Sequence, residues 1–434
     1  MKRWLPPAIV LAVLVGLTAC GSSGGQTKVA VVKPGAASAV DWPTFHGPKR
    51  DSLSPDKGLL KEWPKDGPPS AWPEPAKGLG SGFSSVSVAG TRVFTMGDKG
   101  DSCYVFAVDR ASGKPLWETK VGKSGSKGGY AGPRCTPTVD GDNVYALGQN
   151  GNLVCLKTAS GESVWTKDLP KDFGGQVGGW GWSESPLIDG DKLLITPGGK
   201  DASIVALNKK DGAVIWKAVV PGDKAEYASM TIAEVGGVKM YVQMLLNNVV
   251  GVKADDGKLL WTYGKLARLT ANIPTPLVRG DHVFCAGGYG GGGGALLKLT
   301  VDGDKVTATE VYFNGALKNK HGGVLLVGDH LFGDRDDSGN PWCADFMTGK
   351  VVDAWKKQSK GSGSMSLTYA DGNLYCRYAN GVVALVEANP AGYKELGSFK
   401  IPNVNGPSWP HPVVVDGRLY IREQDQLLCY NLKP

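Results

Sequence analysis

Cysteine, histidine, clustered charge and long apolar runs are all scarce in this 434-residue chain. It has 8 cysteines and 5 histidines. No Cys-x-x-Cys, adjacent cysteine pair or Cys-x-x-Cys-His occurs, so the redox, zinc and haem-attachment signatures are missing. Setting Cys20 aside leaves 8 − 1 = 7 cysteines, an odd number that argues against a complete disulfide framework. Charge is scattered. Lys+Arg 48 against Asp+Glu 41 gives +7 without a dense basic stripe, which disfavours nucleic acid as a partner. The apolar run Leu5–Leu17 is too short for a comfortable membrane span. No helical 3.6 period runs for long after residue 40.

Residues 1–20 instead read as a leader. Lys2 and Arg3 precede the apolar run, and Leu17–Thr18–Ala19–Cys20 resembles a bacterial lipobox, with Cys20 as the thiol to be lipidated. An ordinary secretory signal is the competing reading. Removing Lys2 and Arg3 takes the charge from +7 to 7 − 2 = +5. Gly21, Ser22 and Ser23 follow, with no Asp in second place. By likeness to enterobacterial lipoproteins this implies a lipid-anchored protein of the outer membrane, facing the periplasm. Residues 21–40 are rich in Gly, Ser and Ala and read as a flexible tether.

Glycine is abundant (63 residues) and periodic. A stretch small-x-x-x-x-x-Gly-x-x-x-Trp returns at Ala107–Gly113–Trp117, Cys155–Gly161–Trp165, Ala206–Gly212–Trp216 and Gly251–Gly257–Trp261. A longer copy is Cys343–Gly349–Trp355. A second marker, an apolar residue followed by a Gly-centred turn, recurs eight times, at Gly90, Gly141, Gly190, Gly237, Gly280, Gly328, Gly372 and Gly417. Each repeat reads as four short strands. In the second they are Cys135–Val139, Asn143–Leu147, Leu153–Lys157 and Ser163–Asp168, separated by Gly, Asn and Asp. Four strands per ~40–50 residues is the grammar of a propeller blade. The expected fold is all-β: an eight-bladed β-propeller of four-stranded antiparallel blades over residues 41–434. An open solenoid is the alternative. The last repeat stops after three strands. Residues 41–47 are expected to supply its outer strand, because an unclosed ring leaves exposed edges. Cys155, Cys343 and Cys429 occupy small-residue positions and read as packing groups.

Ala107–Val108–Asp109–Arg110–Ala111–Ser112–Gly113–Lys114–Pro115–Leu116–Trp117 resembles the A-x-D-x-x-T-G-x-x-x-W repeat of quinoprotein-type (PQQ-like) propellers. That group holds pyrroloquinoline quinone (PQQ) dehydrogenases and non-catalytic propellers, among them the outer-membrane assembly lipoprotein BamB. Asp41–Pro48, Trp180–Pro186, Ala271–Pro276, Asn319–Gly323 and Trp409–Pro412 resemble segments of bacterial PQQ-binding-like propellers. The resemblance implies a monomeric, non-catalytic envelope scaffold with protein or glycan partners, with a PQQ-dependent alcohol or sugar dehydrogenase as the alternative. The adjacent cysteine pair of methanol-dehydrogenase relatives is missing.

Function is expected where the repeat breaks. Seven segments leading into first strands differ from one another. They carry Arg134, Trp180, Trp182, Glu184, Tyr227, Asn272, Asn319, His321, Trp409 and His411, a polar and aromatic set suited to a small-molecule pocket on one face. Capping of blade ends is the plainer reading, in which no catalytic residue and no cofactor is expected. A quinoprotein would need Ca²⁺ held by a carboxylate and an amide, for which Glu184 and Asn272 are the candidates, with Trp180 or Trp182 as the floor and Glu226 as the sole candidate base. Asp334, Asp336, Ser338 and Asp345 match the spacing of a Ca²⁺ loop, against a solvated acidic turn. Gly287–Gly294 lacks a phosphate-loop ending and reads as a flexible turn.

Overall fold

All eight marker glycines, Gly90 through Gly417, adopt left-handed backbone, with φ from 54° to 89°. A residue with a Cβ resists that conformation, so each Gly fixes the tight turn between the first and second strands of a blade. The computed structural model describes residues 41–434 apart from 127, 267–269, 336–337 and 356–359. The leader, Cys20 and the tether lie outside the described residues. Those described fall within one unit, Ala37–Pro434.

The strands form eight sheets, within each of which successive strands of the blade pair antiparallel in sequence order. Blade 2 contains Thr138–Asp140, Asn143–Leu147, Asn152–Lys157 and Ser163–Asp168, close to the spans expected from its turns. Blades 1, 3, 4, 5 and 7 also have four successive strands, starting at Ser87, Leu187, Thr231, Leu277 and Met365. Blade 6 has three, Leu325–Val327, His330–Arg335 and Asn340–Asp345, plus a single bridge between Ala344 and Val351. The two extra residues before Trp355 coincide with this interruption. One short helix departs from the all-strand expectation. It spans Leu169–Phe173 and is capped by the Asp168 side chain accepting from Lys171 N.

In its first three copies the Gly–Trp repeat locks neighbouring blades together. Within a blade, the small residue lies directly across the ladder from the Trp, as in Ala107 against Trp117, Cys155 against Trp165 and Ala206 against Trp216. A bulge follows each pair. The indole then reaches the next blade. Trp117 Nε1 donates to Thr158 O at 3.1 Å, Trp165 Nε1 to Lys209 O at 3.0 Å, and Trp216 Nε1 to Ala254 O at 3.2 Å. The receiving turn carries the repeat's Gly. A Cβ on Gly161 would lie 2.6 Å from Trp117 Cε3, and one on Gly257 would lie 2.5 Å from Trp216 Cε3. Glycine is therefore required twice, for its positive φ and for the ring lying on it. In blade 5 a tyrosine takes the indole's place: Tyr312 OH donates to Phe346 O, and its ring lies against Gly349. The seven cysteines of the described region are free and buried, as packing residues should be.

Blade 8 has the strands Val413–Val415, Arg418–Glu423 and Gln426–Asn431. The N-terminal part of the chain closes it, but the segment is residues 69–76 rather than 41–47. Asn431 N donates to Pro69 O, Ala71 N to Cys429 O, and Ala76 and Leu427 exchange both backbone bonds. Trp72 is the missing indole of the repeat. Its Nε1 donates to Arg110 O at 3.1 Å and its ring covers Gly113.

Residues 41–56 run instead inside the ring, against the first strands of several blades. Trp42 exchanges backbone bonds with Val88 of blade 1, and Pro43 O accepts from Val139 N of blade 2. Arg50 donates to Ser185 O and Pro186 O ahead of blade 3. Leu53–Ser54 pairs in parallel with Tyr369 and Ala370 of blade 7, and Asp56 accepts from Gly417 N of blade 8. Asp41 and Asp56 both lie near the Gly-centred turns, so the segment enters and leaves the channel at that face. Its tip, His46–Gly47, reaches the other. His46, Gly47, Arg50 and Ser52 all have positive φ, from 57° to 83°. Strain of this kind persists only where surrounding contacts hold the backbone.

Candidate ligand site at the channel mouth

The crossing loops surround a cavity of about 700 Å³ at the tip of the channel segment, within the range of roughly 300–1,000 Å³ common for small-molecule sites. Phe45 and His46 belong to its wall. Six of the ten residues expected from the sequence also line it: Arg134, Trp180, Tyr227, His321, Trp409 and His411. The loops bring these together because consecutive blades deliver their crossings to the same face.

The wall is largely aromatic. Trp409 stacks on His321 with centroids 4.6 Å apart and planes at 20°, and it touches Phe83 and Tyr130 at 4.9 Å and 5.0 Å. Trp180 meets Tyr227 edge-on at 5.8 Å. Arg134 lies over Phe83 at 5.3 Å. Its terminal nitrogens donate to Gly132 O, Trp180 O and Tyr130 O, so it ties two aromatic loops into place. Burial lowers its pKa to about 10, which leaves it charged at neutral pH.

The imidazoles are held by specific partners. His321 Nε2 is 3.2 Å from Tyr289 OH, and its Nδ1 is 2.9 Å from Ser364 Oγ. His411 Nε2 lies 3.3 Å from His321 O. That nitrogen must carry the proton, which makes Nδ1 the acceptor, and Nδ1 has no partner in the protein. His46 Nε2 and Thr275 Oγ1, on two further lining residues, are likewise buried and unpaired. Burial holds His411 down to about 4, and burial followed by the nearby His411 and Arg50 holds His46 well below the ordinary histidine range.

The other four expected residues face away from the cavity. Trp182 packs over Gly151 and donates to Thr196 O. Glu184 is buried, its Oε2 accepting from Thr196 N at 2.8 Å and its Oε1 from Gln243 Nε2 at 3.0 Å. Burial pushes its carboxyl up to about 8, against the opposing pull of Thr196 and Arg50. Asn272 gives its amide to Leu245 O, and its backbone N–H to Glu226 Oε2. Burial raises Glu226 to about 7. Asn319 donates to Asp334 Oδ1, and Asp334 Oδ2 accepts from Met365 N.

Glu184 is thus bonded to Thr196 N and the Gln243 side chain, Asn272 gives its amide N–H to Leu245 O while its Oδ1 is buried without a partner, and neither residue lines the cavity. The Ca²⁺-loop spacing falls across a β-hairpin. Asp334 pairs with Pro341 at one end of a hairpin, and Asp345 pairs with His330 at the other. Ser338 Oγ bonds to Arg335 O, and Asp336 lies outside the described residues. No cluster of three or more His, Cys, Asp or Glu suited to a metal occurs among the described residues.

Phe45, His46, Phe83, Tyr130, Thr275, Tyr289 and Ser364 also line the site and were not among the candidate site residues. Phe83 belongs to an eighth crossing, residues 81–86, hidden because no repeat precedes it. Tyr289 sits in the Gly287–Gly294 turn, where the surrounding glycines gave the only hint of an unusual loop.

Comparisons with known proteins follow the same architecture. Residues 101–357 match the family described as outer membrane protein assembly factor BamB. A protein of that name from Burkholderia pseudomallei is 27% identical over 199 residues, 46% of each chain. Another from Shewanella oneidensis is 25% identical over 251 residues, 54% of this chain and 59% of the relative. The chain spans about half the length of the curated relatives it matches. Among solved structures, BamB from Moraxella catarrhalis superposes with TM-score 0.52 at 14% identity, covering 77% of this chain and 92% of that one. Quinohemoprotein alcohol dehydrogenase from Comamonas testosteroni gives TM-score 0.62 at 13% identity, covering 91% and 80%. Likenesses at that identity concern the fold alone. The family match spans more than half of the sequence, and the chain belongs to the outer membrane protein assembly factor BamB family.

Proposed function

We propose that this protein is a non-catalytic scaffold of the cell envelope, lipid-anchored through Cys20 at the periplasmic side of the outer membrane, that binds a protein partner in outer membrane protein assembly. The observation that carries the reading is the family match over residues 101–357. The site geometry supports it. The loop face offers a large aromatic concavity, and its two best-placed carboxylates, Glu184 and Glu226, are committed to Thr196, Gln243 and Asn272. A rigid ring that presents eight crossing loops on one side is a platform for docking. The dehydrogenase alternative gains nothing from the geometry, since its metal-binding pair is turned inward.

The test is loss of the gene in cells that make this chain, followed by pulse-chase of an outer membrane β-barrel protein. Slower appearance of the folded barrel, restored by the wild-type chain and not by a Cys20→Ser chain, is the expected result. Unchanged barrel assembly would remove the reading.

A further inference from the structure

The cavity contains more recognition chemistry than a docking surface requires. Two aromatic groups face it, Trp409 stacked on His321 and Trp180 with Tyr227. Three buried polar atoms on its wall, His46 Nε2, His411 Nδ1 and Thr275 Oγ1, have no partner in the protein. Buried polar atoms are satisfied in nearly all native structures, so these three call for an occupant that can both donate and accept.

Charge narrows the chemistry. A cationic ligand needs a carboxylate, and the nearby ones are bonded elsewhere. An anionic ligand needs free guanidinium donors, and the terminal nitrogens of Arg134 are directed at three loop carbonyls. Burial holds the His46 and His411 imidazoles below the ordinary histidine range, so both are neutral at physiological pH. What fits flat aromatic faces together with unpaired neutral acceptors and a hydroxyl is a ring with apolar C–H faces and hydroxyls around its edge.

We propose that the cavity at the channel mouth binds a short neutral oligosaccharide, with a sugar ring against the Trp409 or Trp180 face and its hydroxyls bonded to His46, His411 and Thr275. The site does not rest on the assembly reading, since binding requires no partner. The channel segment contributes directly: His46, with positive φ, sits at the tip of residues 41–56, a segment bonded to five blades.

The experiment is saturation-transfer NMR and calorimetry on the purified full-length protein. Chitotetraose represents an N-acetylated wall glycan, maltotetraose a soluble free sugar, and cellotetraose a plain β-linked chain. Gly-Phe-Gly amide serves as a neutral aromatic peptide, and PQQ as an aromatic anion. At least one oligosaccharide should saturate the site, and which one does so distinguishes a wall glycan from a free sugar. Trp409→Ala should weaken it by about tenfold or more. Thr275→Val, which exchanges only a hydroxyl for a methyl, should weaken it several-fold while melting as the wild type does. Absence of saccharide binding, binding unchanged in both variants, or saturation by the peptide or PQQ alone would overturn the proposal.

Discussion

Replacing Trp72 by Ala removes the indole that joins the end of the ring to its start. The side chain is 2% exposed, its ring meets Tyr420 edge-on at 5.8 Å, and its Nε1 bonds to Arg110 O. An indole of this kind buries roughly 200–250 Å², worth about 5–6 kcal/mol as an upper bound at ~25 cal/mol/Å². The lost hydrogen bond adds ~1 kcal/mol, while partial collapse of the cavity returns some of the total. Measured tryptophan and phenylalanine truncations in cores cost about 3–5 kcal/mol. The expected loss is therefore about 4 kcal/mol. With a urea dependence of about 3 kcal/mol/M, the unfolding midpoint followed by circular dichroism should fall by a little over ~1 M. Because the blade 8–blade 1 joint is where the cavity forms, limited proteolysis of the variant should cut first within residues 57–80. A loss below about 1 kcal/mol, or unchanged proteolysis, would refute the assignment of residues 69–76 as the closing strand.

The two glycine classes should respond differently to a methyl group. Gly161→Ala places a Cβ 2.5 Å from Thr119 Oγ1 and 2.6 Å from Trp117 Cε3 at φ 73°, and should cost about 2–4 kcal/mol from backbone strain and overpacking together. Gly141→Ala meets open space at φ 57° and should cost only about 1–2 kcal/mol, both read from chemical denaturation. His411 is a base whose folded pKa, about 4, lies below its unfolded value near 6.5. Its contribution is full above pH 6.5 and is lost as pH falls toward 4, by about 3 kcal/mol. The stability difference between wild type and His411→Asn should shrink by that order over this window. Glu184 has the opposite sign, with a folded pKa of about 8 above its unfolded value. Its contribution is full below about pH 4.5 and is lost as pH rises toward 8, so Glu184→Gln should flatten the decline in stability between those limits.

The blades were legible because their turns obey strict local chemistry. Gly141 and Gly161 each satisfy a backbone requirement that few other residues can meet, and such requirements leave marks at fixed spacing. Cys155 could be read as a packing group from its sister positions alone, and the ladder places it opposite Trp165. The closing strand was hidden by its own irregularity. Residues 69–76 contain three prolines and make few ladder bonds, so Trp72 carried no repeat around it. The course of residues 41–56 depends on contacts with blades hundreds of residues away, and no local pattern records it. In the crossing loops, residue type located the right segments but not the direction of each side chain. Trp180 and Trp182 are two residues apart, yet one lines the cavity and the other packs over Gly151 and bonds to Thr196 O. Loops lack the strict alternation that makes strand faces readable.

Site-specific photo-crosslinking in living cells tests the scaffold reading most directly. A photoreactive amino acid at Tyr130, exposed at the cavity rim, is compared with one at Asp304, in an exposed turn on the side of the Gly-centred turns. The expected result is a covalent adduct with an envelope protein from position 130 and none from position 304. Adducts from position 304 alone, or no envelope protein from either position, would contradict a partner-binding loop face.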